Sequence, residues 1–253
     1  MKPMNLIPVN PNMKMELPAN RSVIRHPSLI TRHSSLGFTL VELLIVISII
    51  GVLAGFTLPV LKMAKAAQYK KVARGELERI ETALENYKAK YGAYPPGNGF
   101  GNSLASQLYY ELSGTYTNAG NFVTLDGSST IPKNSVNPAF GVGGFVNSGS
   151  ANQNNNGDDD VKVAKNFLSG LSAKNIGTAQ SGGVWITNLV TSVHGPDASY
   201  QPVGIQDVNP FRYVYPGTNN PNSYDLWVQL VINGQTNLVC NWSRQVIINS
   251  SLP

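Results

Sequence analysis

The stretch Gly37 to Leu61, GFTLVELLIVISIIGVLAGFTLPVL, constrains this chain more than any other. It is apolar nearly throughout and carries one ionisable residue, Glu42. About 20 apolar residues suffice for a helix to cross the hydrocarbon core of a bilayer. A lone carboxylate inside such a helix costs on the order of 3 kcal/mol on insertion scales. Whatever this chain folds into must therefore house an apolar helix and offset one carboxylate near its start.

The chain has 253 residues, room for one membrane segment and one soluble domain. Residues 1–37 hold Lys2, Lys14, Arg21, Arg25 and Arg32 against Glu16, a net of +4 out of the chain's +5. The basic balance thus speaks for topology rather than nucleic acid. Positive residues ahead of a membrane segment tend to stay in the cytoplasm, which would place the remainder across the membrane. Cys240 is the only cysteine, so an exported domain relies on core packing, not on an intrachain disulfide.

In chain order, residues 1–36 show no helical or strand period, and prolines at 3, 8, 11, 18 and 27 interrupt local structure. Residues 1–37 read as a leader. Phe38 to Tyr91 reads as one helix, a rod of roughly 80 Å. Its first part, 38–61, is apolar all round. In its second part, 62–92, Ala73, Leu77, Ile80, Leu84, Tyr87 and Tyr91 form a single apolar seam. Glu76–Arg79 and Glu85–Lys88 are expected as ion pairs on the wet side. Pro59 predicts a kink, with Gly51 and Gly55 lowering helix propensity nearby. Gly92 caps the helix and Pro95-Pro96 stops it. Residues 93–183 read as a Gly/Asn-rich region with short helices at 103–112 and 161–171, and a polar surface loop at 152–160. Residues 184–253 read as antiparallel β structure. Strands are expected at 184–190, 211–215, 224–232, 238–242 and 245–248, with a hairpin turn at Asn233-Gly234. The fold class is α+β: a long N-terminal helix, its first half transmembrane, packed on a small C-terminal antiparallel sheet.

Three readings of the apolar stretch compete. Small residues at Val52 and Ala54 would suit a secretory signal cut after Ala54, and a plain signal anchor is the second. Neither explains Glu42. The third rests on Gly37-Phe38-Thr39-Leu40-Val41-Glu42, which resembles the processing site of type IV prepilins and type II secretion pseudopilins, and the likeness extends through Pro59. By that resemblance a membrane peptidase cuts between Gly37 and Phe38 and N-methylates Phe38. Glu42 becomes the fifth residue of the mature chain and pairs with the Phe38 amine of a neighbouring subunit. Pro59 marks the family's helix-weakening proline.

Lys90-Tyr91-Gly92-Ala93-Tyr94-Pro95 is similar to the segment closing the helix in the major pseudopilin family of type II secretion. Asp207-Val208-Asn209-Pro210-Phe211-Arg212-Tyr213, Tyr224-Asp225-Leu226-Trp227 and Asn241-Trp242 are similar to later stretches of it, in the same order. The resemblance implies a structural filament subunit, single-pass in the inner membrane, with its N-terminus cytoplasmic and its C-terminal domain periplasmic. Implied partners are further copies, other pseudopilins, the prepilin peptidase/methyltransferase and an inner-membrane assembly platform, with no nucleic acid. A surface type IV pilus for adhesion, motility or DNA uptake is the alternative.

The family's calcium position falls at Asn233-Gly234-Gln235-Thr236-Asn237, which lacks a carboxylate, so no calcium is expected there and no cofactor elsewhere. A membrane-anchored enzyme is disfavoured. His194-Gly195-Pro196-Asp197 has no accompanying nucleophile motif, phosphate loop or metal-ligand spacing. Cys240 reads as a small core residue.

Overall fold

The computed structural model describes residues 37–150, 163–168, 170–193 and 200–249. The leader, the Asp158–Asp160 run, His194 and Asp197 lie outside the described residues. The chain divides into two units, one ending at Gly51 and one beginning at Val52. Helix α1 is Leu40–Tyr91, and its backbone is helical through Gly51, Gly55 and Pro59.

In the second unit the seam of α1 is the spine of the core. Ala73, Leu77, Ile80, Leu84 and Tyr87 are buried and Tyr91 is packed against them. Gly92 ends the helix in a left-handed conformation, φ 80°, and its amide bonds the Lys88 carbonyl at 2.8 Å. The facing sheet has the order β10-β9-β8-β7, all antiparallel: β7 Arg212–Val214, β8 Asp225–Ile232, β9 Gln235–Cys240 and β10 Ser243–Ile248. Along β8, Leu226, Val228, Leu230 and Ile232 join the α1 core, while Trp227 packs on the other face with Leu238 and Cys240. That alternation is the two-residue period of a strand. Asn233 and Gly234 both have positive φ, 53° and 74°, between the paired Ile232 and Gln235. This is the primed turn that the strand twist prefers.

Helix and sheet are also joined by Arg74. Its guanidinium donates to the carbonyls of Cys240 at 2.6 Å and Ser243 at 2.9 Å, at the turn between β9 and β10. Of the strands expected after residue 183, all are present as β6 (Val184–Leu189), β7, β8, β9 and β10.

The region between helix and sheet is more ordered than the sequence suggests. It holds α2 (Leu108–Ser113), β1 (Thr115–Asn118), β2 (Asn121–Thr124), β3 (Thr130–Pro132), α3 (Lys133–Phe140), β4 (Ser148–Ser150) and β5 (Ile176–Ser181). The first sheet runs β3-β2-β1-β4 with β1 and β4 parallel, and β5 pairs with β6 as a hairpin. The expected helix at 103–112 is shorter, because residues 103–105 form a turn held by Asn102. The expected helix at 161–171 does not form among its described residues. Their backbone is taken by tertiary partners instead: the Lys165 amide and carbonyl bond the Asn147 side chain, and the Phe167 amide bonds the Leu112 carbonyl.

Two measurements check this packing. Gly182 sits in the β5–β6 turn with φ 55°, and a Cβ there would lie 2.0 Å from the Pro138 carbonyl oxygen; its neighbour Gly183, φ 77°, faces open space. Gly183→Ala should cost about 1–2 kcal/mol of conformational strain, and Gly182→Ala clearly more, seen as ordered drops in Tm.

The second concerns the phenols. Tyr87, Tyr213 and Tyr224 are all pushed above the ordinary tyrosine value, foremost by burial. A raised folded pKa gives stability that is complete below about pH 10 and lost as pH climbs past it. Urea midpoints should fall above pH 10. Tyr87→Phe should flatten that fall while lowering neutral-pH stability by about 1 kcal/mol.

Candidate functional site: the start of the apolar helix

Gly37, Phe38 and Thr39 are exposed and non-helical, and α1 begins at Leu40. Thr39 caps it. The Glu42 amide donates to Thr39 Oγ1 at 3.2 Å, and Glu42 Oε2 accepts from the Thr39 amide at 2.9 Å and from Thr39 Oγ1 at 2.7 Å. This is a reciprocal capping box, satisfying donors that a helix start leaves without partners. Its signal, a Thr followed three residues later by Glu ahead of an apolar run, stands in the sequence at 39–42 but was absent from the sequence reading above.

The same rule extends along the segment. Ser48 Oγ donates to the Leu44 carbonyl at 2.7 Å and Thr57 Oγ1 to the Ala54 carbonyl at 3.0 Å. All polar side chains between Phe38 and Leu61 are thus bonded within their own stretch of chain. That is what hydrocarbon demands of a helix. Phe38, Leu40, Val41, Leu43, Leu44, Phe56 and Leu61 are among its exposed apolar side chains. The helix is long and apolar enough to cross a membrane.

The remaining carboxylates of interest are structural. Glu76 is buried rather than paired with Arg79 on a wet face. It accepts from Asn175 Nδ2 at 2.8 Å, from Thr191 Oγ1 at 2.7 Å, and from the Ser192 amide and hydroxyl. Glu85 accepts from the Tyr94 hydroxyl at 2.8 Å, and the Lys88 ammonium lies over the Tyr94 ring. Glu111 is fully buried and accepts from Tyr87 at 2.9 Å and from the amides of Val146 and Asn147. Asp225 accepts from the amides of Asn219 at 2.7 Å and Asn220 at 3.0 Å. Among the described residues no three His, Cys, Asp or Glu side chains cluster to hold a metal ion. Cys240 is buried in β9, and burial pushes its thiol pKa up.

Residues 32–58 match the family model described as the prokaryotic N-terminal methylation motif. The chain is 40% identical over 65 residues to the type II secretion system core protein G of Pseudomonas aeruginosa, covering 25% of this chain and 45% of that protein. It is 35% identical over 85 residues to the protein of the same name from Escherichia coli, covering 33% of this chain and 59% of that one. The chain thus spans about half the length of the curated relatives it matches. No solved structure matches it.

If the box holds the helix start, Thr39→Val removes both side-chain bonds to Glu42 and should lower local helix stability by about 1 kcal/mol. Amide exchange at residues 40–43 in detergent micelles should speed several-fold, with residues 73–91 unchanged.

Proposed function

We propose that this chain is a structural subunit of a pseudopilus of type II protein secretion, and not an enzyme. The observation that carries the reading is the methylation motif at 32–58, with Gly37-Phe38 and Glu42 at the mouth of a helix whose polar side chains as far as Leu61 are bonded within that stretch. The names of its relatives favour secretion over a surface pilus.

In this reading the chain is inserted once in the inner membrane, with the basic residues 1–37 on the cytoplasmic side and the second unit in the periplasm. A prepilin peptidase hydrolyses the Gly37–Phe38 bond and methylates the new amine. An assembly platform then packs many copies of α1 by their apolar stretches, alongside other pseudopilins. The Phe38 ammonium of one copy approaches the Glu42 carboxylate of the next. A desolvated opposite charge offsets the carboxylate's burial and sets the stagger between copies. Pro59, which cannot donate a backbone hydrogen bond, gives α1 a place to bend during packing.

The test is the N-terminal residue and intact mass of the membrane-extracted chain, with and without a co-expressed prepilin peptidase. A chain starting at methylated Phe38 only with the peptidase supports the reading, and an uncut chain in both would sink it. Glu42→Ala should leave insertion and cleavage intact and reduce sheared filament yield at least tenfold.

A further inference from the structure

Lys71, Gly75 and Arg79 lie four residues apart on one face of α1, so two cations stand two helical turns apart, roughly 12 Å. Between them Gly75 leaves a gap: a Cβ built there meets nothing within 4 Å. Lys174, in the turn before β5, lines the same groove, which has a volume of about 440 Å³ and is floored by Glu76, Asn175 and Ser192. Lys71, Arg79 and Lys174 are exposed. None of their side chains has a hydrogen-bond or ionic partner among the described residues. Among the described residues the one carboxylate lining the groove, Glu76, is buried and already accepts from Asn175, Thr191 and Ser192. The groove therefore presents three positive charges without partners among the described residues, around a notch cut into the helix surface.

We propose that this notch receives the acidic run Asp158-Asp159-Asp160 of a second copy of this chain. The proposal rests on the filament reading above. Charge complementarity names the occupant: these are the only three consecutive acidic residues in the sequence, matched to three cations without partners among the described residues. The tether names the copy. Val163 is fixed at the far end of α1, its carbonyl accepting from Lys90 Nζ at 2.6 Å. Lys90 lies 15 residues beyond Gly75, roughly 22 Å along the axis. At a limit of about 3.5 Å per residue, residues 158–162 reach roughly 18 Å even at full extension, short of that span. A parallel copy displaced along the axis brings the run opposite the notch without such extension. The contact would add lateral register between soluble units, independent of the Phe38–Glu42 pair.

The experiment uses the full chain assembled with the peptidase. Arg79→Glu with Lys174→Glu should cut sheared filament yield several-fold, as should Asp158→Lys with Asp159→Lys and Asp160→Lys. All five together should restore it. Lys174→Cys and Asp159→Cys are then placed on separate, differently tagged chains. Oxidised filaments should yield a crosslinked heterodimer, with Cys240 left in place because it is buried. Variants that assemble like the parent, failure of the five-fold reversal to restore yield, or a crosslink found only when both cysteines share one chain would each overturn the proposal. If the parent chain forms no filaments, the filament reading falls and takes this one with it. Parent filaments without the heterodimer overturn this one alone.

Discussion

Everything in the second unit depends on where α1 stops being apolar all round. Up to Met63 the helix exposes apolar side chains on every side, Met63 itself among them. From Ala73 the apolar positions narrow to one face, and that face is buried. Each large side chain buried there is worth about 1.5–3 kcal/mol, which is what holds β8 and its neighbours against the helix. The upstream stretch has no such cover among the described residues. A contiguous apolar surface of that length is not sustained in water, so a bilayer or other apolar helices must supply its solvent.

A second rule recurs at both levels. Three carboxylates, Glu42, Glu76 and Glu111, are met by donors that fix nearby backbone. Glu42 holds the first turn of α1, Glu76 holds Asn175 and Ser192 against the helix, and Glu111 holds Val146 and Asn147. Asn147 extends the last of these to Lys165 and Tyr91. Hydrogen bonds to charged groups are worth about 1.5–3 kcal/mol each when buried. They do for the polar middle region what an apolar period does for the sheet. This explains how a stretch so rich in Gly, Asn and Ser packs against Tyr87 and Leu112.

Those bonds are also why that region was illegible. Long periodic signals survive in a sequence, so the α1 seam, its end at Gly92 and the β7–β10 sheet with its Asn233-Gly234 turn could be read directly. The strands β1 to β4 are only three or four residues long, too short for a two-residue period to stand out. The β1–β2 turn places Ala119 at φ 45° beside Gly120, so its central pair is Ala-Gly and not the Asn-Gly or Asp-Gly that marks such a turn most clearly. Glu76 looked like half of a surface ion pair because Arg79 is three residues on. Its real partners come from residues 175, 191 and 192, and no local pattern carries a separation of that size. At the functional site the balance was reversed. The motif at Gly37–Glu42 was legible in full, yet the bonding of Glu42 to its own Thr39 was overlooked because a more distant partner had already explained it.

That local bond changes how filament assembly has to be argued. Glu42 already accepts twice from Thr39, both times at Oε2, which leaves Oε1 without a partner among the described residues. In the filament reading a neighbour's amine would therefore join the Thr39 donors rather than displace them, and its advantage would be the charge. While residue 38 is linked to Gly37 its nitrogen is a neutral amide, no better a donor than the Thr39 amide already in place. Hydrolysis of the Gly37–Phe38 bond, as proposed, would turn it into an ammonium. In a low-dielectric interior, opposite charges in contact attract far more strongly than in water, and the carboxylate gains by accepting a second, charged donor alongside the first. On this account cleavage does more than remove a basic leader. It would create a charged donor able to draw Glu42 into a contact between copies, so an uncut chain would sit in the membrane with its helix start capped and without that electrostatic reason to assemble.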